Sequence, residues 1–439
     1  MKRKTIILGA GITGLSAGID TGWDIYEAAA EAGGMACSYA YAAGEPAGQP
    51  YWFERAGGHW FFFPDERLSA FVQALSPLRR YARNAAVFLS PRRQAIAYPL
   101  QCHLACLSPR ERAAVERETA VPVCGSAGDQ RAWFLQHFGT TLCELFFFPF
   151  HQRYTAGLYP RLAPPEFLRT PRLGRNDGAA DAGYNKVFFY PEGGLRRFIA
   201  AMAARCRIHY GKRVVRIDLP EHRVFFQDGS GIRYDRLISS LPLPVMLSLT
   251  GAAPEFGPAD PYTSLLVVNI VARRGCACPA EHWMYTPHAQ SGFYRVGFYS
   301  NVASMFLPRG ADPAAVSLYV EKAYPGGTAL SPRQIAAICR EITNELNDWG
   351  YIDAIVALSP QWIDCAYCWS FAGSAWKDAA LSFLAGQGIT QLGRYGRWNR
   401  QGMSDCLRQG LTVNCAWQNY SAGEPRRLSP AASALTSPN

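Results

Sequence analysis

An α/β fold, in which one parallel sheet is assembled from separated stretches of the 439-residue chain, is predicted by three observations. A short apolar strand, Thr5–Leu8, runs directly into Gly9, Gly11 and Gly14. A second strand-like run, Trp23–Glu27, ends in an acid 18 residues after Gly9. Strand-and-glycine signals of the same kind return near residues 185–245 and 385–420, after long stretches of different character. Strands that alternate with helices imply a parallel sheet, and their late return implies that the sheet is completed only near the end of the chain.

The first stretch has a specific chemistry. Gly9 permits a tight turn, Gly11 lets backbone approach a pyrophosphate, and Gly14 allows a helix to pack closely on the strand, with the phosphates on unpaired N–H groups at the helix N-terminus. Glu27 falls where an acid meets a ribose hydroxyl, at a spacing slightly short of the usual one, which predicts a stunted first helix. This is a Rossmann-type dinucleotide fingerprint. Ala32-Gly33-Gly34-Met35 then points to FAD rather than a nicotinamide, because a Gly-Gly pair just after the ribose acid is how many FAD domains continue.

Composition narrows the function further. An apolar content of 49% with 18% charged residues describes a globular chain. The longest apolar runs, such as Leu145–Phe150, fall far below the roughly 20 residues that span a bilayer. No integral membrane segment is expected. The basic residues before Thr5 are followed by the glycine fingerprint rather than a cleavage site, so the expectation is a cytoplasmic enzyme. Thirteen cysteines without regular spacing read as reduced thiols that serve as small apolar residues, and no metal site is expected, Cys276, Cys278, Cys365 and Cys368 included. The net charge of +10 comes from scattered Lys and Arg without a basic block. That distribution suits cofactor and substrate phosphates better than a nucleic-acid partner.

Along the chain, residues 1–75, 185–245 and 385–420 are expected to form the FAD-binding domain. Residues 76–184, with Arg-rich and Pro-led starts, read as an inserted helical domain. Residues 246–384 carry alternating runs such as Leu265–Val271, Phe293–Tyr299 and Val316–Val320 and predict an antiparallel sheet that forms a substrate platform. Ile208–Ile217 reads as a strand, Val224–Leu237 as a hairpin, Leu237–Leu241 as a buried strand ending at Pro242, and the Ser-, Pro- and Ala-rich residues 421–439 as a disordered tail.

Taken in order, Gly9-Ala-Gly-Ile-Thr-Gly14, Glu27, Gly33-Gly34, Gly57-Gly58-His59, Tyr190-Pro-Glu-Gly-Gly-Leu195, Leu241-Pro242 and Gly393-Arg394 leading to Met403 resemble the flavoprotein superfamily of amine oxidases, protoporphyrinogen oxidases and UDP-galactopyranose mutases. The resemblance covers almost the whole chain. It is nearest to the mutase branch through the Gly-Gly-His loop with its following aromatics, Phe148-Pro-Phe-His-Gln-Arg-Tyr154, and Phe293-Tyr-Arg-Val296. It implies FAD held by Gly9, Gly11, Gly14, Glu27, Gly34, Gly58, Val215, Arg394 and Met403. Val215 lies in the strand whose backbone holds the adenine, and Met403 starts a helix whose N–H groups stabilise anionic flavin.

The mutase resemblance also implies chemistry without net redox change, in which N5 of reduced flavin attacks the anomeric carbon of a nucleotide sugar and displaces the nucleoside diphosphate. His59 and Arg295 are then the catalytic residues, His59 at the flavin and Arg295 at the departing diphosphate, where bidentate guanidinium suits the growing charge. Tyr154 and Arg397 are expected to bind substrate. NAD(P)H as an external reductant and a homo-oligomeric state stay open. The chain departs from the mutases just before Met403, where their tyrosine-rich acidic segment is replaced by Trp398-Asn-Arg-Gln-Gly402. Arg400 and Gln401 are available there as substitute donors, and a nucleotide sugar other than UDP-galactopyranose, or a related sugar derivative, is the expected substrate. The alternative is an oxidase or dehydrogenase of the amine oxidase or protoporphyrinogen oxidase type; a non-catalytic FAD protein is a third class.

Overall fold

The computed structural model describes residues 4–42, 50–120, 125, 127–164 and 186–414. Five strands form a parallel sheet in the order Ile389–Gln391, Arg236–Ser239, Thr5–Leu8, Asp24–Tyr26, Arg207–His209. Thr5–Leu8 sits in the middle and is buried throughout, as a strand covered on both faces must be. Ile7 packs with Ile25 and Ile238 on one face, and Ile6 and Leu8 pack with Leu237 and Ile389 on the other.

The helix that follows, Ile12–Gly18, has only seven residues, as the short fingerprint spacing predicts. The last helix, Met403–Val413, lies along it because Gly410 has no side chain; a Cβ there would overlap Ser16 Oγ. The Asn414 side chain then donates to the carbonyls of Ser16 (3.1 Å) and Ile19 (2.8 Å) and satisfies groups that the short helix leaves open at its C-terminus. This packing returns Gly393 and Met403 to the start of the chain.

A mixed sheet of seven strands forms the second layer. Its long strands are Ile352–Cys368, Tyr262–Arg274 and Ala315–Pro325, followed in order by Arg295–Phe298, Trp283–Tyr285, Ala85–Leu89 and Gln94–Ala97. All neighbours are antiparallel except Trp283–Tyr285 with Ala85–Leu89. Strand periodicity sorts its faces: Leu318 and Val320 pack with Cys339, Ile342 and Leu346 of the helix Pro332–Asp348, while Tyr319 turns to the core shared with the parallel sheet.

Two local expectations differ from the structure. The stretch 76–184, read as helical, contains the helices Pro109–Glu118, Gln130–Leu142 and Phe148–Tyr154, but also a strand, Leu78–Ala82, paired with Val187–Pro191, and a hairpin, Ala85–Leu89 with Gln94–Ala97. A five-residue apolar run such as Ala85–Leu89 has no period that separates a buried strand from a buried helix. The run Ile208–Ile217 is two strands, because Gly211 turns the chain at φ +69°. Arg207–His209 stays in the parallel sheet, and Val214–Asp218 joins Arg223–Phe226 and Gly231–Arg233 in a small antiparallel sheet. The expected hairpin forms between Arg223–Phe226 and Gly231–Arg233, and the buried strand expected just before Pro242 is Arg236–Ser239 of the parallel sheet. Residues 421–439 lie outside the described residues. Among the described residues no helix is long and apolar enough to cross a membrane.

Candidate active site

The dinucleotide end is built by the turn after Thr5–Leu8. Gly9 sits at φ +93°, and Gly14 gives its carbonyl room, because a Cβ on Gly14 would run into Gly9 O. A Cβ on Gly11 would meet nothing within 4 Å, so the N-terminus of Ile12–Gly18 opens into free space. Gly33 N donates to Ala10 O at 2.9 Å, which brings Gly34 beside Gly11. Glu27 accepts from Ala10 N (2.7 Å) and Ala29 N (2.8 Å), so its carboxylate is pinned at the end of the second strand. Val215 is 50% exposed and stands at a register shift between Val214 and Arg216, where a bulged residue is left out of the ladder. A free helix N-terminus, a fixed acid and an unpaired stretch of strand backbone are what FAD requires of its phosphates, ribose and adenine, and these residues fit it.

Arg394 is the residue expected at the flavin end. Its Nε donates to Gln401 O (2.7 Å) and Nη1 to Ala366 O (3.2 Å), with the guanidinium 5.3 Å from the Tyr367 ring centroid. Among the described residues it has no carboxylate partner. Gln401 directly precedes Gly402, the N-cap of Met403–Val413, so the cation stands beside a helix N-terminus. Ser404 Oγ, buried at that terminus, also lacks a hydrogen-bond partner.

His59 belongs to a loop seated on the seven-stranded sheet. A Cβ on Gly58 would overlap the Tyr319 hydroxyl, and one on Gly57 would stand 2.5 Å from Glu321 Oε1. Only glycines let the loop lie this close. The half-buried His59 ring has Nδ1 3.0 Å from Gly57 O. A carbonyl can only accept, so Nδ1 carries the proton and Nε2 is left as an acceptor. Burial pushes the imidazole down to about 4, and the charges of Arg394 and Arg295 push in the same direction.

Arg295 pairs directly across the sheet with Glu321. Its Nε donates to Glu321 Oε2 at 3.0 Å and Nη2 donates to Oε1, while the Tyr294 hydroxyl also donates to Oε2. Glu321 is 0% exposed. The guanidinium expected at a departing diphosphate is therefore paired with a buried carboxylate that lies against Gly57 of the His59 loop.

Tyr154 is the hub of an aromatic wall. Its ring centroid lies 5.1 Å from Tyr294, 4.9 Å from Tyr367 and 5.3 Å from Trp369, all near edge-to-face. Arg400 Cζ stands 5.9 Å from the same ring. His151, one turn earlier, holds Nδ1 2.7 Å from Phe147 O, and burial drives its pKa to about 3, helped by the charge of Arg400. The structure thus brings together His59, Arg295, Arg394, Met403 and Tyr154. It does not bring Arg397 to them. Arg397 is exposed and lines a groove of 1230 Å³ with Lys4, Thr5, Asp24, Asp235 and Ile389, at the amino ends of the parallel strands. Dinucleotide sites form at the carboxyl ends.

Sequence reasoning missed Tyr319, Glu321, Tyr367 and Trp369. A single acid inside the apolar run Val316–Val320 and its continuation was the available signal for Glu321. A second buried acid, Glu54, accepts from Ser38 Oγ (3.0 Å) and the Tyr190 hydroxyl, and burial raises it to about 7.

Residues 10–362 match the family model of flavin-containing amine oxidoreductases. A crystal structure of reduced UDP-galactopyranose mutase is similar at 20% identity and a TM-score of 0.82, over 94% of this chain and 93% of that one. A presumed protoporphyrinogen oxidase from Exiguobacterium sp. 255-15 follows at 16% identity and 0.69, over 94% and 98%. Putrescine oxidase bound to putrescine is similar at 13% identity and 0.59, over 94% and 98%. At these identities the likeness shows the fold. No curated protein matches the sequence.

Proposed function

The chain belongs to the family of flavin-containing amine oxidoreductases, and from that premise we propose that it is an FAD enzyme acting on a nucleotide-activated sugar or related sugar derivative with the flavin reduced. Arg394 carries the reading. It is a cation held by two backbone carbonyls, without a carboxylate partner among the described residues, beside the start of Met403–Val413. By the family resemblance this is the flavin's place, and a guanidinium next to a helix N-terminus favours negative charge there. Reduced FAD supplies a nucleophilic centre at a sugar carbon and can leave the substrate's redox level unchanged.

The surrounding groups suit that use. His59 is neutral at physiological pH and presents Nε2 as a hydrogen-bond acceptor. Glu321, held by Arg295, and Tyr319 lie directly against Gly57 and Gly58 of the loop that carries it. Tyr154, Tyr294, Tyr367 and Trp369 form an apolar wall that excludes water from one side. Net oxidation of an amine fits less well, because an ammonium group would approach Arg394 and Arg400 with like charge.

The test is anaerobic. The purified protein is reduced with dithionite, incubated with a panel of nucleotide sugars and assayed for isomers by chromatography, with oxidised protein alongside. Product from the reduced form alone, with the flavin still reduced at the end, supports the proposal. Bleaching of oxidised flavin by a substrate without isomerisation would move the chain to the oxidase class.

A further inference from the structure

We infer that Arg400, rather than Arg295, receives the phosphate charge of the substrate; this rests on the nucleotide-sugar reading above. Three guanidinium groups surround the aromatic wall and the His59 loop, and two are committed. Arg295 is held by both oxygens of Glu321, and Arg394 is fixed on the carbonyls of Gln401 and Ala366 under Tyr367. Arg400 has no hydrogen-bond or ion-pair partner among the described residues. Its side chain is exposed, with the guanidinium over the Tyr154 ring.

Its backbone is not free to wander. Trp398 is buried to 2% exposure and donates Nε1 to Asp260 O at 3.2 Å. Asn399 N donates to Arg394 O at 2.9 Å, and Lys377 Nζ donates to Asn399 Oδ1 at 3.0 Å. Gln401, on the other side, gives its carbonyl to Arg394. A charged head without a partner among the described residues, on a fixed turn and over an aromatic face, combines ring stacking with a planar fork for phosphate oxygens. Two acids of this region are already engaged, Glu321 by Arg295 and Asp405 by Gly402 N at 2.9 Å. The ligand class that completes this arrangement is a phosphorylated molecule with a planar ring, such as a nucleoside diphosphate.

The test uses the FAD-loaded protein and reads binding rather than turnover. Flavin or tryptophan fluorescence is titrated with UDP, GDP and dTDP, and with uridine as a phosphate-free comparator, for the wild type, Arg400→Ala and Arg400→Lys. Loss of one charge-assisted hydrogen-bonded contact predicts diphosphate binding weaker by about 10- to 100-fold in Arg400→Ala, with an intermediate loss in Arg400→Lys and unchanged uridine binding. The salt dependence of diphosphate binding should also flatten in Arg400→Ala. Equal diphosphate affinity in wild type and Arg400→Ala would overturn the assignment and leave the nucleotide-sugar reading standing. A wild type that binds none of the three diphosphates would overturn both. An unchanged flavin spectrum in the variants establishes that they are folded.

Discussion

Replacing Arg295 by Ala tests whether this residue is first a structural partner of Glu321. Glu321 is 0% exposed and takes three hydrogen bonds, two from the guanidinium and one from the Tyr294 hydroxyl. Arg295→Ala leaves that carboxylate buried with one donor, and removing one partner of a buried pair costs about 3–5 kcal/mol. A chain of this length melts with an entropy of roughly 0.9 kcal/mol/K, so the expected fall in Tm is about 4 °C. The double variant Arg295→Met with Glu321→Leu replaces the pair by apolar groups and should recover most of the loss, since such exchanges are often neutral. Thermal and urea unfolding of the wild type, Arg295→Met, Glu321→Leu and the double close the cycle. If Arg295→Ala melts with the wild type and the single effects simply add, the pair is not coupled. The guanidinium would then be free to serve substrate, and the inference drawn for Arg400 would lose one of its premises.

Other perturbations read neighbouring parts of the site. Burial raises Glu54 to about 7 from an ordinary value near 4.5, so the folded state holds this proton more tightly than the unfolded chain. Its contribution to stability is fully present below about pH 4.5 and is lost as pH rises through about 7. Glu54→Gln should therefore gain about 2.5 kcal/mol on the wild type between pH 5 and pH 8 in urea unfolding; parallel profiles would show that Glu54 is not held protonated. His151 has the opposite sign, because burial lowers it to about 3 from an ordinary 6.5. Its stabilisation is complete above pH 6.5 and disappears as pH falls toward 3, so His151→Phe should move acid unfolding to lower pH. Gly58→Ala should cut turnover by about tenfold or more with flavin still bound, because its Cβ would overlap the Tyr319 hydroxyl and lift His59. Adding Tyr319→Ala removes both the hydroxyl and the ring carbon 2.6 Å from that Cβ and should restore part of the rate; no restoration would place the effect elsewhere than in the loop's seat.

The local sequence determined what short-range chemistry can determine. Gly9, Gly11 and Gly14 follow a buried strand, and their spacing to Glu27 already implied the seven-residue helix Ile12–Gly18, since turn, helix and strand end are joined by a few bonds. The alternating run Val316–Val320 likewise showed its strand. What it could not carry was meaning that depends on pairing. Arg295 and Glu321 are 26 residues apart and meet only because their strands are neighbours in register, which turns an expected substrate cation into the partner of a buried carboxylate. Arg397 and Arg400 stand three residues apart, yet one lines the groove at the amino ends of the parallel strands and the other stands over Tyr154. Motif position offered Arg400 as a substitute donor but did not anticipate where Arg397 stands, because the packing of Trp398 between them sets the turn. A fingerprint is legible where its contacts are local; the charge balance of a site is decided by which distant strands are brought side by side.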